Sequence, residues 1–176
     1  DEKYYFITTS DHNTSEQYFF SVNENNPKPK LIKERKKGII YSVNSWNDYF
    51  YNHTNENAED FKIDRCKNLN DQDWKTYIPA KDEVLIGGLV FLNDWEIRSE
   101  ISNALGKIFI KNINTNKEEE VEFTDEKVIV PGVSLLQKDK NTDLVHLSYS
   151  SPKTQSRVYL YNLKTKEKKL IKEQQI

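Results

Sequence analysis

The sequence predicts an all-β fold made of repeated four-stranded antiparallel units, and three observations predict it. Short apolar runs recur at a near-constant spacing, they recur in a constant order, and the segments between them carry turn chemistry. Aromatic residues reach 12% of the 176 residues, although hydrophobic residues as a whole make up only 36%. Aromatic and β-branched side chains suit a half-buried pleated surface, and Ala, a strong helix former, is scarce.

Periods of roughly 40–50 residues announce propellers and arrays. One set of runs, Tyr4 to Thr9, Tyr49 to Asn52, Trp95 to Ser99 and Leu144 to Tyr149, starts at intervals of 45, 46 and 49 residues. A second set, Ile39 to Val43, Val84 to Leu92 and Val128 to Leu136, precedes the last three of these at intervals of 45 and 44. A third set follows: Tyr18 to Val22, Phe61 to Asp64, Ile108 to Ile113 and Val158 to Leu163. Leu31-Ile32, Trp74 to Ile78, Val121 to Phe123 and Leu170-Ile171 close the units.

The connections agree with this order. Asn112 to Lys117 and Asn162 to Glu167 sit 50 residues apart between third and fourth strands, and Asn and Thr there read as hairpin loops. Asn25-Asn26-Pro27-Lys28-Pro29 does the same in the first unit. Val145, Leu147 and Tyr149 share one face of their strand, with Leu144, His146 and Ser148 opposite. Val128-Ile129-Val130 is apolar on both faces, as a strand covered on both sides would be. Gly87-Gly88 inside an apolar strand marks a bulge or a close backbone approach. No long window has a helical period, and Ser99 to Leu105 is too short for a helix.

The units fall at about residues 1–37, 38–82, 83–126 and 127–176, and the first lacks its first strand. The expected architecture is therefore a partial β-propeller of about three and three-quarter four-stranded blades, against roughly four to eight in a complete ring. In propellers the first strand of each blade lines the axis, so Tyr41, Val84 and Val130 are the candidate channel-lining positions.

Charge and cysteine content narrow the function. Lys plus Arg (26) nearly balances Asp plus Glu (28), which gives no reason to expect nucleic acid as a partner. Cys66 is the single cysteine, so no internal disulfide forms and a reducing cytoplasm fits. No apolar run approaches the roughly 20 residues of a membrane helix, and no signal sequence opens the chain. His12, His53 and His146 lack metal-ligand spacing, and no Gly-x-Ser-x-Gly elbow is present. No catalytic residue, metal or cofactor is expected. The basic cluster Lys28, Lys30, Lys33, Arg35, Lys36 and Lys37 reads as a solvated outer strand and loop rather than an anion site. Asn13-Thr14-Ser15 and Asn52-His53-Thr54 match the glycosylation pattern, which short sequences reach by chance.

A family resemblance appears in the last unit. Tyr149-Ser150-Ser151 and Thr154, then Val158 to Leu163, Thr165 and Leu170-Ile171-Lys172, resemble the end of the propeller in the oligopeptidase B (protease II) branch of the prolyl oligopeptidase family of serine peptidases. Phe50-Tyr51, Thr54-Asn55, Ala58 and Phe61, and Trp74 with Ile78-Pro79, resemble that family's preceding strands. Phe91, Asp94, Glu100 and Leu105 fall in the same order. The resemblance departs at Ile40, Asn44 and Ser45, where charged residues are usual, at Glu100 to Leu105, which lacks an Arg and a Gly, and at Pro152 and Gln155. Lost charged groups, if they served interdomain contacts, would alter the parent's activity.

The resemblance implies a seven-bladed, non-catalytic ring over an α/β-hydrolase domain that carries Ser, Asp and His and cleaves short peptides after Lys or Arg. Ile176 would lie just before the linker to that domain, whose catalytic residues have no positions in this sequence. The implied partners are the hydrolase domain and, through it, short peptides; nucleic acid and membrane are not. A homodimer through exposed blade faces is also expected. The rival reading is a stand-alone propeller-type scaffold for protein partners.

Overall fold

A computed structural model describes residues 2–123, 130–136 and 139–175, and every regular element among them is a β-strand. The chain divides into two compact units, residues 1–82 and 83–176, each built on two antiparallel sheets.

In the first unit, β1 (Tyr4–Ser10), β2 (Ser15–Ser21) and β3 (Lys30–Lys33) form a three-stranded sheet in that order. The second sheet runs β4 (Tyr41–Trp46), β5 (Tyr49–Thr54), β6 (Lys62–Cys66) and β7 (Lys75–Ile78). In the second unit, β8 (Val84–Leu92), β9 (Trp95–Ser102), β10 (Leu105–Asn112) and β11 (Glu118–Glu120) make one sheet. The other comprises β12 (Val130–Leu135), β13 (Leu144–Ser150), β14 (Arg157–Asn162) and β15 (Lys168–Glu173). Val128 and Ile129, assigned to the start of β12 from sequence, lie outside the described residues.

Local chemistry explains the turns. Asn47 and Asp48 both hold left-handed φ (45° and 63°) between β4 and β5, the two-residue turn whose twist matches flanking strands. Asn103 and Ala104 (51° and 60°) do the same between β9 and β10, so Ser99 to Leu105 is a hairpin and not a helix. The twin Asn loops are built alike. The Asn112 Oδ1 accepts from the amides of Asn114 and Thr115, and the Asn162 Oδ1 from those of Lys164 and Thr165. Each loop ends on a left-handed residue, Asn116 or Lys166.

Each unit has its own core. Phe19, Ile32, Tyr41, Val43, Phe50, Cys66 and Leu69 pack in the first, with Tyr4 and Phe6 beside them. The Tyr4 ring lies 5.0 Å from Phe50 and 6.2 Å from Phe19, the spacing of tilted aromatic pairs. In the second, Leu92, Trp95, Ile97, Ile108 and Ile110 meet Val145, Leu147, Tyr161 and Leu163.

One strand assignment needs correction. The fourth strand of the third sheet is Glu118–Glu120, not Val121 to Phe123. Val121 is buried in the core and Phe123 packs against it, so the apolar pair faces inward while three glutamates make the ladder. Periodicity cannot see this, because three successive acidic residues look like a loop until their partners are known.

Candidate functional site

The three candidate channel positions sit on the first strands of the last three sheets, in different surroundings. Tyr41 is 3% exposed. Its hydroxyl donates to the Lys33 carbonyl at 2.7 Å and accepts from the Gln17 amide at 2.8 Å and the Lys33 amide at 3.2 Å. Burial holds the phenol above its ordinary range, so it stays a neutral donor. Val84 is half-buried opposite Ser102, and Val130 is 63% exposed opposite Ser150. Tyr41 belongs to the first unit, and Val84 and Val130 to the second.

Around Tyr41 the first unit forms a polar seam that sequence reasoning missed. The outer edge of β4 carries backbone groups with no strand beside them, and β2 satisfies them with side chains. Ser15 Oγ accepts from the Tyr41 amide at 2.6 Å and donates to the Tyr41 carbonyl at 2.8 Å. Gln17 repeats the pattern on Val43: its Oε1 accepts from the Val43 amide at 2.7 Å, and its Nε2 donates to the Val43 carbonyl at 3.3 Å. Buried backbone groups must be paired. A Ser and a Gln two residues apart on one strand face were the available signal.

Three members of the basic cluster, Lys33, Arg35 and Lys36, are engaged locally. Lys33 and Lys36 both reach Glu56, at 2.7 and 2.9 Å, and their hydrogen bonds pull its carboxyl down to about 2. Arg35 donates to Thr14 Oγ1 and to the carbonyl and hydroxyl of Thr9, pinning the loop after β1. These contacts support the reading of a structural strand and loop.

In the second unit Arg98 is the densest charge junction. Its Nε donates to Glu100 at 2.9 Å, and its Nη1 and Nη2 grip Glu118 at 2.7 and 3.1 Å in a fork, with Phe109 below the guanidinium at 4.8 Å. Burial opposes the Arg98 charge, but the bonds to Glu118 and Glu100 outweigh it and hold the guanidinium firmly protonated. Nearby, a cleft between β11 and β14 is lined by Glu119, Val121, Tyr161, Lys166 and Lys168. Lys166 pairs with Glu119 at 2.8 Å, and Lys168 donates to the carbonyls of Glu122 and Phe123, so both lysines already have acceptors.

The tempting residues lie apart. His12 is exposed after β1, His53 stacks on Phe61 at 4.6 Å, and His146 stands opposite Ser134 in β12. No group of three His, Cys, Asp or Glu able to hold a metal occurs among the described residues. Cys66 is buried, and burial pushes its thiol up to about 11. Asn52 is fully buried in β5, which closes Asn52-His53-Thr54 to glycosylation in the folded chain. Gly87-Gly88 is indeed a bulge in the β8–β9 ladder.

Comparisons with known proteins agree on a family. The family model described as prolyl oligopeptidase, N-terminal β-propeller domain, matches residues 1–174. Protease 2 of Moraxella lacunata is 26% identical over 182 residues, covering 96% of this chain and 24% of that protein. Dipeptidyl aminopeptidase BI of Pseudoxanthomonas mexicana is 25% identical over 149 residues, covering 83% and 20%. The chain therefore spans about a quarter or less of the curated relatives it matches. Among solved structures, oligopeptidase B from Trypanosoma brucei with covalently bound antipain superposes with a TM-score of 0.84 at 23% identity, over 98% of this chain and 26% of that one. Oligopeptidase B from Leishmania major gives 0.79 at 15% identity, over 98% and 26%. The sequence resemblance to this family and the expected all-β propeller fold are both borne out.

Proposed function

Because the chain belongs to the prolyl oligopeptidase N-terminal β-propeller family, we propose that it is the non-catalytic propeller segment of an oligopeptidase B-like serine peptidase. The family match over nearly the whole chain carries this reading. Its role in the parent is steric: a ring over the active site admits short, flexible peptides, cleaved after Lys or Arg by a Ser-Asp-His site on an α/β-hydrolase domain, and turns folded proteins away. Tyr41, Val84 and Val130 mark the first strands that border the passage. Tyr41 contributes through its anchored backbone, because its side chain is committed to Lys33 and Gln17. Val130 is the position whose exposed side chain meets the peptide. The compartment is the cytoplasm, in keeping with one buried cysteine and no disulfide. Separated from its parent, the chain associates weakly with itself through the apolar sheet face that carries Tyr5 and Ile7, 59% and 45% exposed.

The test compares the parent peptidase with a variant lacking residues 1–176. The variant should cleave a folded, Lys-rich protein that the parent spares, while both cleave a short Lys-arylamide peptide. Equal sparing of the folded protein by both forms refutes the gating role. Turnover of the arylamide by the purified 176-residue chain, lost on a serine-directed inhibitor, refutes the non-catalytic assignment.

A further inference from the structure

We propose that the interior between the two sheets of the first unit is a water-binding site, in which the Asn52 carboxamide holds at least one ordered water that it shares with Asp64. The site is independent of any steric role in the parent peptidase.

Asn52 is 0% exposed inside β5, and neither its Oδ1 nor its Nδ2 has a hydrogen-bond partner. Turning the amide over exchanges the two atoms and satisfies neither. Native chains pair nearly every such group with protein or with ordered water, because an unpaired buried amide is costly. Phe50, Asn52 and Thr54 share one face of β5, and the Phe50 ring lies 6.4 Å from Phe19 of β2, so that face looks onto the first sheet. In register, Asn52 stands between Val43 of β4 and Asp64 of β6. Val43 presents only methyl groups. Asp64 is 7% exposed, and its carboxylate holds Thr76 Oγ1 and Lys62 Nζ, each at 3.0 Å. A carboxylate has about four lone-pair sites, so Asp64 keeps acceptor capacity beside Asn52.

The amide dictates the chemistry of its ligand. An occupant has to donate to Oδ1 and accept from Nδ2, and it has to be small, because Asn52 has no exposed surface. Water meets all three conditions. A cation serves Oδ1 but repels the Nδ2 protons, and Lys62 already neutralises Asp64. No group of three His, Cys, Asp or Glu able to hold a metal occurs among the described residues. The span also fits. Directly paired residues hold their Cβ atoms about 4.5–5.5 Å apart, and a water making two bonds of about 2.8 Å joins polar side chains at that spacing. The second unit supplies the contrast. Leu147 stands opposite Val133 as Asn52 stands opposite Val43. It is 1% exposed and packs in a cluster with Ile97 and Ile108. Carbon fills that place and asks for no ligand.

Magnetisation transfer from water, measured on the 176-residue chain with nitrogen labelling at asparagine, tests this. The Nδ2 protons of Asn52 should show a dipolar cross-peak to water, which the rotating-frame sign separates from proton exchange. Relaxation dispersion of oxygen-enriched water then counts long-lived waters directly. Asn52→Leu, close in size and without polar atoms, should lower that count by at least one. Should Asn52→Leu fail to fold, Thr54→Val and Thr76→Val replace it, since they remove the hydroxyls able to relay the signal. A cross-peak retained in both variants supports a bound water, and its loss overturns the proposal. Absence of a dipolar cross-peak in the parent chain, or the same water count with and without the Asn52 amide, also overturns it. A shift of the Asn52 amide resonances on exchanging sodium for potassium would place a cation there and overturn the choice of ligand.

Discussion

Replacing Arg98 with Met removes a charge that two carboxylates share while keeping much of the side chain's bulk over Phe109. The magnitude follows from what is left behind. Glu100 has 5% of its side chain exposed and loses its 2.9 Å bond to Nε, whereas Glu118 has 37% exposed and can turn to water. Breaking a buried pair by deleting one member costs about 3–5 kcal/mol. An exposed partner adds only about 0–1 kcal/mol. With Glu118 rehydrated, a loss of about 3 kcal/mol is expected at neutral pH, near the lower end. At about 2–4 °C per kcal/mol for a chain of this size, the melting temperature should fall by about 6–12 °C. Urea unfolding of Arg98→Met, Glu100→Gln and the double variant measures this. The double variant should be more stable than Arg98→Met, because neutralising Glu100 removes the buried charge that had faced the guanidinium. A loss below about 1 kcal/mol for Arg98→Met, or a double variant no better than the single one, would refute the view that Arg98 holds a buried carboxylate in place.

The pH dependence of stability should show the Glu56 clamp. Its folded carboxyl titrates near 2, below the ordinary 4.5, so its contribution is present above pH 4.5 and is lost as pH falls from 4.5 toward 2. After discounting for partial exposure this is about 1–2 kcal/mol, and Glu56→Gln should flatten that part of the unfolding curve; an unchanged slope would count against the clamp. Cys66, buried with its thiol near 11, should resist Ellman's reagent at pH 8 in the native chain and react in urea. Rapid native labelling would mean the first core opens. Gly87→Ala should cost about 1–3 kcal/mol, since its added carbon would sit 2.8 Å from the Ser99 carbonyl oxygen. Gly132→Ala meets only the Ser148 hydroxyl, at 2.6 Å, and Ser148→Ala should rescue it. Equal costs at the two glycines would contradict this.

Most strands were legible because their signal is local. Tyr4 to Thr9, Val84 to Leu92 and Leu144 to Tyr149 declare themselves by β-branched and aromatic content, and the twin Asn loops by side chains that bond their own backbone. What escaped was long-range. Glu118 to Glu120 escaped as a strand because their cations, Arg98, Lys107 and Lys166, lie up to 47 residues away. The same holds for Tyr41. Sequence placed it on a first strand, yet its role depends on Gln17 and Lys33, which no spacing rule connects to it. The repeat reports where strands run, while the seam between sheets is written in pairs of residues that a single sequence does not link.

Every hydrogen-bonded neighbour in every sheet is also a neighbour in sequence. Pairing therefore closes only short loops, and contact order within a sheet is low, the condition under which folding is fast. A ribosome adding about 5–20 residues per second exposes a complete four-stranded meander within seconds, and it can zip from its first hairpin before the next sheet exists. Within each unit the first sheet then offers its finished face as a template for the second. Inserting a whole four-strand module between Ile78 and Val84 would leave all existing ladders intact. Cutting within a module would leave a strand edge bare.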